Sequence, residues 1–160
     1  MTCNFYNHLR VPDYLLFAFK EQGVVEIPGP ESNERINQYL ACVGLPPDDE
    51  IPWCVAGGAF SLKSTGYKII RSGAARDWEE YASLYGARKA TFPRVGLCCI
   101  LWRESIDSGL GHFGFLIGWN EDDLFLYGAN QKNRWRIDPY PKEQLLVMFN
   151  PVKEAYVTDN

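Results

Sequence analysis

The order in which residue patterns change along this chain constrains its fold more than any other feature. In the first half, apolar residues recur at helical spacing between capping and helix-breaking residues. From Val95 onward, short β-prone apolar runs alternate with turn residues. Strands with such short connections pair antiparallel, because parallel pairing needs a long crossover. Helices followed by antiparallel strands predict an α+β fold.

Four helices are predicted in the first part of the chain. They cover Pro12 to Gln22, the segment between Asn33 and Gly44, Trp53 to Ser64, and Ala74 to Leu84. The third contains Gly57 and Gly58, and each glycine inside a helix costs about 1 kcal/mol relative to alanine. We therefore expect this helix to pack closely against the sheet at its two glycines.

Five strands are predicted in the second part. They are Val95 to Trp102, His112 to Trp119, Asp123 to Ala129, a strand that contains Trp135 and Ile137, and Leu145 to Phe149. The turn residues Asn120 to Asp122 join the second and third strands into a hairpin. No linker or repeat interrupts the pattern, so we expect residues 1–160 to form one domain with its core at about 13–151.

The composition argues against several classes of function. Acidic and basic residues are interspersed with a net charge of -4, whereas a nucleic-acid-binding domain shows a basic stripe. The five cysteines lack disulfide or metal spacing, and His8 and His112 are the only histidines, so we expect no metal and no other cofactor. No apolar run is long enough to span a bilayer, and we expect no stable membrane association.

Cys54 is the candidate nucleophile. It follows the acidic, proline-containing loop at residues 49–52 and lies at the start of the third predicted helix. At a helix N-terminus, the helix dipole and the unpaired backbone amides favour a thiolate and can bind an oxyanion. A lone cysteine is more often a buried structural residue, so the assignment requires a base.

His112 is the candidate base, at the entry of a strand and flanked by Gly111 and Gly114. The predicted hairpin brings the end of the following strand, with Asn130 and Gln131, back beside His112. A side-chain amide oxygen there would accept a hydrogen bond from the imidazole and fix its tautomer. Asn130 is the favoured orienting residue and Gln131 its competitor, although both also fit an ordinary turn.

Four short motifs occur in an order that is specific in combination. They are Glu26 to Pro30 with Asn33, Glu50 to Cys54, Gly111-His112 with Gly114, and Gly128 to Gln131. Together they resemble the NlpC-type papain-like cell-wall peptidases, especially the small phage and prophage branch that is related to CHAP amidases. The resemblance extends from about Leu15 to Pro151. One departure lies in the strand before the histidine, where Leu97 follows Gly96 and members of this branch usually carry an aspartate.

The resemblance implies a papain-like fold, in which the nucleophile helix packs on an antiparallel sheet of five to six strands. It also implies Cys54 as nucleophile, His112 as base and Asn130 as the orienting residue. Gly111 is expected at the substrate groove, and Trp53 either lines that groove or packs in the core. An acid at Glu50 is usual in this branch, where it would support the oxyanion site, polarise a substrate amine or cap the helix.

The implied function is hydrolysis of an amide bond in peptidoglycan peptides, by an amidase or an endopeptidase. We expect a monomeric phage endolysin, made without a signal peptide in the host cytoplasm and acting at the cell wall or periplasm. Three alternatives remain: an interbacterial amidase toxin of the same fold, a thiol acyltransferase, and a non-catalytic wall-binding or virion module.

Overall fold

A computed structural model describes residues 10–155. Four α-helices precede the sheet: α1 (Asp13–Lys20), α2 (Glu34–Cys42), α3 (Cys54–Ser64) and α4 (Tyr81–Tyr85). Two 3₁₀ segments, Ala75–Glu80 and Lys142–Gln144, complete the helical elements of the described chain. None of the helices within residues 10–155 has the length and hydropathy that a membrane span requires.

The sheet has five strands, all paired antiparallel in the order β4-β3-β2-β1-β5. Their bounds are β1 (Cys98–Trp102), β2 (Gly111–Trp119), β3 (Asp123–Gly128), β4 (Arg136–Pro141) and β5 (Leu145–Phe149). The α+β prediction is therefore confirmed, as is the hairpin between β2 and β3. Asn120 closes that hairpin, because its side-chain oxygen accepts from the amides of Asp122 and Asp123 at 3.0 and 2.7 Å.

The fourth predicted helix differs from expectation, because its first part is the 3₁₀ segment Ala75–Glu80. Residues three apart eclipse in a 3₁₀ helix. Accordingly Trp78 and Tyr81 stack with ring centroids 5.7 Å apart and planes at 12°. Gly86, with φ at +65°, ends α4 in the left-handed conformation that glycine adopts without strain.

Helix α3 packs against the sheet at its two glycines, as predicted. A Cβ at Gly57 would lie 2.9 Å from a ring carbon of Trp135, and one at Gly58 would lie 2.5 Å from a ring carbon of Phe113. Both distances are shorter than a carbon–carbon contact allows. The missing side chains therefore let the helix backbone approach β2 and the segment before β4.

The two faces of the sheet bury different apolar sets. Phe113 and Phe115 of β2 face the helices and belong to the main core. The opposite face carries a smaller cluster that includes Leu101 and Leu126. His112 pairs with Leu101 in register, so His112 belongs to this second face at the strand end nearest the N-terminus of α3.

Candidate active site

Cys54 and His112 come together at the N-terminal end of α3. Cys54 is the first residue of that helix, and the imidazole of His112 is near enough to its thiol to lower the thiol pKa through hydrogen bonding and charge. Both residues are almost buried, with 6% and 4% of their surface exposed. The structure thus joins the two residues that the sequence proposed as nucleophile and base, although they lie far apart in the chain.

The environment of Cys54 favours its thiolate. Burial alone raises the pKa of a thiol, but the hydrogen bond and positive charge of His112 lower it. The backbone amides of Phe113 and Val55 also donate to the sulfur. Together these contacts outweigh burial and hold the pKa of Cys54 below its ordinary value of 9.0.

Gln131 is the hydrogen-bond partner of the imidazole. Its Oε1 lies 2.9 Å from Nε2 of His112. Its Nε2 donates to the carbonyl oxygens of Leu126 and Arg136 at 3.2 and 2.7 Å. Because the amide nitrogen is committed to two acceptors, the amide oxygen must face the histidine, and Nε2 of His112 must carry the proton. Nδ1 is therefore the ring nitrogen left available to the Cys54 thiol.

Gly128 provides the space in which this contact forms. A Cβ at that position would lie 2.8 Å from the side-chain amide carbon of Gln131 and 3.3 Å from Nε2 of His112. The glycine at the end of β3 is thus required by the His112–Gln131 contact. The sequence marked it as part of a motif without indicating why.

Asn130, the favoured orienting residue, has its side chain directed elsewhere. With its amide oriented to satisfy both groups, the oxygen accepts from the backbone amide of Trp53 at 3.2 Å. The nitrogen donates to Oε1 of Glu26 at 3.0 Å. Gln131, the competitor, therefore occupies the position beside His112, and Asn130 binds the residue that precedes the nucleophile.

Glu26 completes this second network. The same Oε1 also accepts from the indole nitrogen of Trp53 at 2.9 Å. Burial raises the pKa of Glu26, the bond from Trp53 partly offsets this, and the nearby charges of Glu50 and Asp49 raise it further. Sequence reasoning included Glu26 only in a family motif, since its partners lie on two distant segments.

The structure does not support a capping role for Glu50. Trp53 is the N-cap residue of α3, which has no side-chain capping bond, and Glu50 is exposed. Its neighbour Asp49 is the buried acid, and one of its oxygens accepts from the amides of Ile27 and Asn33 at 3.0 and 2.8 Å. Asp49 thus connects the two loops in front of α2 and α3.

Of the two roles left open for Trp53, the structure shows the core role. Trp53 is fully buried in the main core and lines no open surface. Gly111 is half-buried, and a Cβ there would lie 3.0 Å from Ala75 and 3.1 Å from Arg76. Close packing against the 3₁₀ segment therefore accounts for this glycine.

Within residues 10–155, no group of three or more His, Cys, Asp or Glu side chains is arranged to hold a metal ion. The other histidine, His8, lies outside the described residues. No protein-family model, no curated protein and no solved structure matches this chain. The chemistry of the Cys54 site and the sequence motifs are therefore the grounds for a functional assignment.

Proposed function

We propose that this protein is a cysteine hydrolase that cleaves an amide bond in peptidoglycan peptides. Cys54 is the nucleophile, His112 the base and Gln131 the residue that orients the base. The observation that carries the proposal is the thiol–imidazole contact, in which the second ring nitrogen is held at 2.9 Å by an amide of fixed orientation. This is the arrangement that activates a thiol for attack on a carbonyl.

In the first half of the reaction, the thiol proton moves to Nδ1 of His112 and the thiolate attacks the scissile carbonyl carbon. The oxyanion that forms needs donors at the N-terminus of α3. The amide of Trp53 is taken by Asn130 and that of Val55 faces the sulfur, which leaves the amide of Cys54 itself for the oxyanion. The imidazolium then protonates the leaving amine, and the C–N bond breaks to give a thioester.

In the second half, water replaces the amine. His112 takes a proton from this water as the hydroxide attacks the thioester carbonyl. The C–S bond then breaks, the proton returns to the sulfur, and the free carboxylic acid leaves. Gln131 acts through His112 in both halves, because its fixed oxygen keeps Nδ1 directed at the reacting atoms.

The motif resemblance supports peptidoglycan as the substrate and a papain-like fold as the framework. Both the sugar-to-peptide amide and the amides within the peptide stem are within this proposal. The same resemblance supports a phage endolysin that acts at the cell wall of its host. An interbacterial toxin would use the same chemistry in a different setting.

Digestion of purified sacculi tests the proposal. Wild-type protein should release free amino groups and new carboxyl termini, and mass spectrometry of the fragments identifies the bond. Cys54→Ala should abolish release, whereas Cys42→Ala is the matched control, because Cys42 is a half-buried thiol at the end of α2, a helix that carries none of the proposed catalytic residues. Full activity in folded Cys54→Ala would refute the thiol mechanism. A product with a new amide in place of a free carboxyl group would identify an acyltransferase instead.

A further inference from the structure

A tyrosine on β4 covers the face of the proposed base. Arg136, Asp138 and Tyr140 alternate along β4 on the face of the sheet that carries His112, since Arg136 pairs with Gly128. The Tyr140 ring stacks on the imidazole with centroids 5.1 Å apart and planes at 25°. Neither the motifs nor the hydrogen-bond network above accounts for this contact.

We propose that Tyr140 is a positioning residue, whose ring fixes the plane of the His112 imidazole and stabilises the imidazolium that forms when Cys54 is ionised. The proposal rests on the thiol–imidazole chemistry proposed above. It adds a second restraint on the base from an element that the sequence did not connect with the site.

The geometry requires such a second restraint. The bond to Gln131 holds His112 at Nε2 only. The ring can still turn about its Cβ–Cγ bond with only a small displacement of Nε2, and this turning moves Nδ1 away from the sulfur. The stacked ring of Tyr140 blocks this rotation, so that the two contacts together fix both the position and the plane of the imidazole.

The electrostatics favour the charged imidazole. The face of an aromatic ring attracts a cation within about 6 Å of its centroid, and the stacked ring of Tyr140 meets that condition. Burial raises the pKa of Tyr140, and the charges of Asp138 and Cys54 raise it further, while Arg103 and Arg136 lower it. Tyr140 therefore stays neutral while the imidazolium forms beneath it.

Alkylation of Cys54 by iodoacetamide tests this role without any substrate. The rate at Cys54 is followed by peptide mass spectrometry between pH 5 and pH 10 in wild-type protein and in two Tyr140 variants. Tyr140→Leu should slow the reaction at pH 6 by about fivefold and move the rise in rate to higher pH, because the imidazolium loses its aromatic partner. Tyr140→Phe keeps the ring and should restore most of the wild-type rate.

Phe125→Leu is the matched control. Phe125 is a half-buried aromatic residue on β3, paired with Pro139 and on the opposite face from His112. It should leave the pH profile of Cys54 unchanged, although it removes as many ring atoms from the sheet. A wild-type pH profile in folded Tyr140→Leu would overturn the proposal. An equal loss of alkylation rate in Tyr140→Phe and Tyr140→Leu would also overturn it, because the effect would then belong to the hydroxyl.

A measurement on the wild-type protein keeps the proposal testable if Tyr140→Leu does not fold. The stacked ring should shift the carbon-bound proton resonances of His112 upfield in the NMR spectrum. Resonances at ordinary histidine positions would refute the stacking. Both readouts are independent of peptidoglycan, so failure of the substrate proposal would be seen in the sacculus digestion alone.

Discussion

Gly128→Ala tests whether the His112–Gln131 contact governs activity. The new methyl carbon would lie 2.8 Å from the side-chain amide carbon of Gln131, where ordinary contact begins at 3.4 Å. Moving from 2.8 to 3.4 Å requires a shift of about 0.6 Å at that carbon. Gln131 cannot take up this shift freely, because its nitrogen is bound to two backbone carbonyls.

The consequence for His112 is the loss or lengthening of its bond to Gln131. A buried donor left without its acceptor costs about 1–3 kcal/mol. Displacement of a catalytic group by about 1 Å can lower the rate about 100-fold. We therefore expect kcat to fall roughly 10- to 100-fold. The smaller decrease is expected if Gln131 shifts only by the roughly 0.6 Å that the contact requires.

Three measurements check this expectation: kcat on sacculi or a peptide fragment, the rate of Cys54 alkylation near pH 6, and thermal unfolding. Gly118→Ala is the matched control, since a Cβ at Gly118 meets no atom closer than 3.8 Å and the residue lies on the same hairpin. Gly118→Ala should keep both rates. If folded Gly128→Ala matches Gly118→Ala in both rates, the contact with Gln131 does not govern the base and the reasoning fails.

Two further predictions concern the free thiols and the packing of α3. The lowered pKa of Cys54 means that its thiolate persists as the pH falls, so its alkylation rate should reach half its maximum below pH 9.0. Burial raises the pKa of Cys42, and the charges of Lys63 and Arg71 offset this only in part. The alkylation rate of Cys42 should therefore reach half its maximum above pH 9.0. A half-maximum at higher pH for Cys54 than for Cys42 would contradict both assignments. Gly58→Ala should destabilise the protein by about 1–3 kcal/mol in urea unfolding, because its methyl group would overlap the ring of Phe113. An unchanged urea midpoint would show that α3 can move away from the sheet.

Local patterns predicted most of the fold. The α3 boundary, the hairpin turn at Asn120 and the close packing at the α3 glycines each depend on residues a few positions apart, or on the general cost of glycine in a helix. The meeting of strand ends in the hairpin also predicted an amide, from Asn130 or Gln131, beside His112, whereas the pairing of Cys54 with His112 was predicted from their chemistry and the motif resemblance. These features were predictable because short-range chemistry fixes them.

The choice between neighbours of similar chemistry was not predictable. Asn130 and Gln131 both carry amides, but Asn130 adopts a left-handed conformation, with φ at +52°, and its side chain contacts Trp53. Likewise Asp49 and Glu50 are adjacent acids, and only contacts to the amides of distant residues make Asp49 the buried one. Such choices depend on the direction of a side chain after the turn, which tertiary contacts decide.

The network of Cys54, His112 and Gln131 and the network of Trp53, Asn130 and Glu26 involve neighbouring residues along the backbone. Trp53 precedes the nucleophile, and Asn130 precedes the residue that orients the base. The Asn130 side chain accepts from the backbone amide of Trp53, and both side chains donate to Glu26. A displacement of the β3–β4 connection therefore moves Gln131 and, through Asn130, the start of α3 as well. Because Trp53 is fully buried, the core resists this motion. The position of Cys54 relative to His112 is thus set by core packing as well as by the residues that touch the reacting atoms.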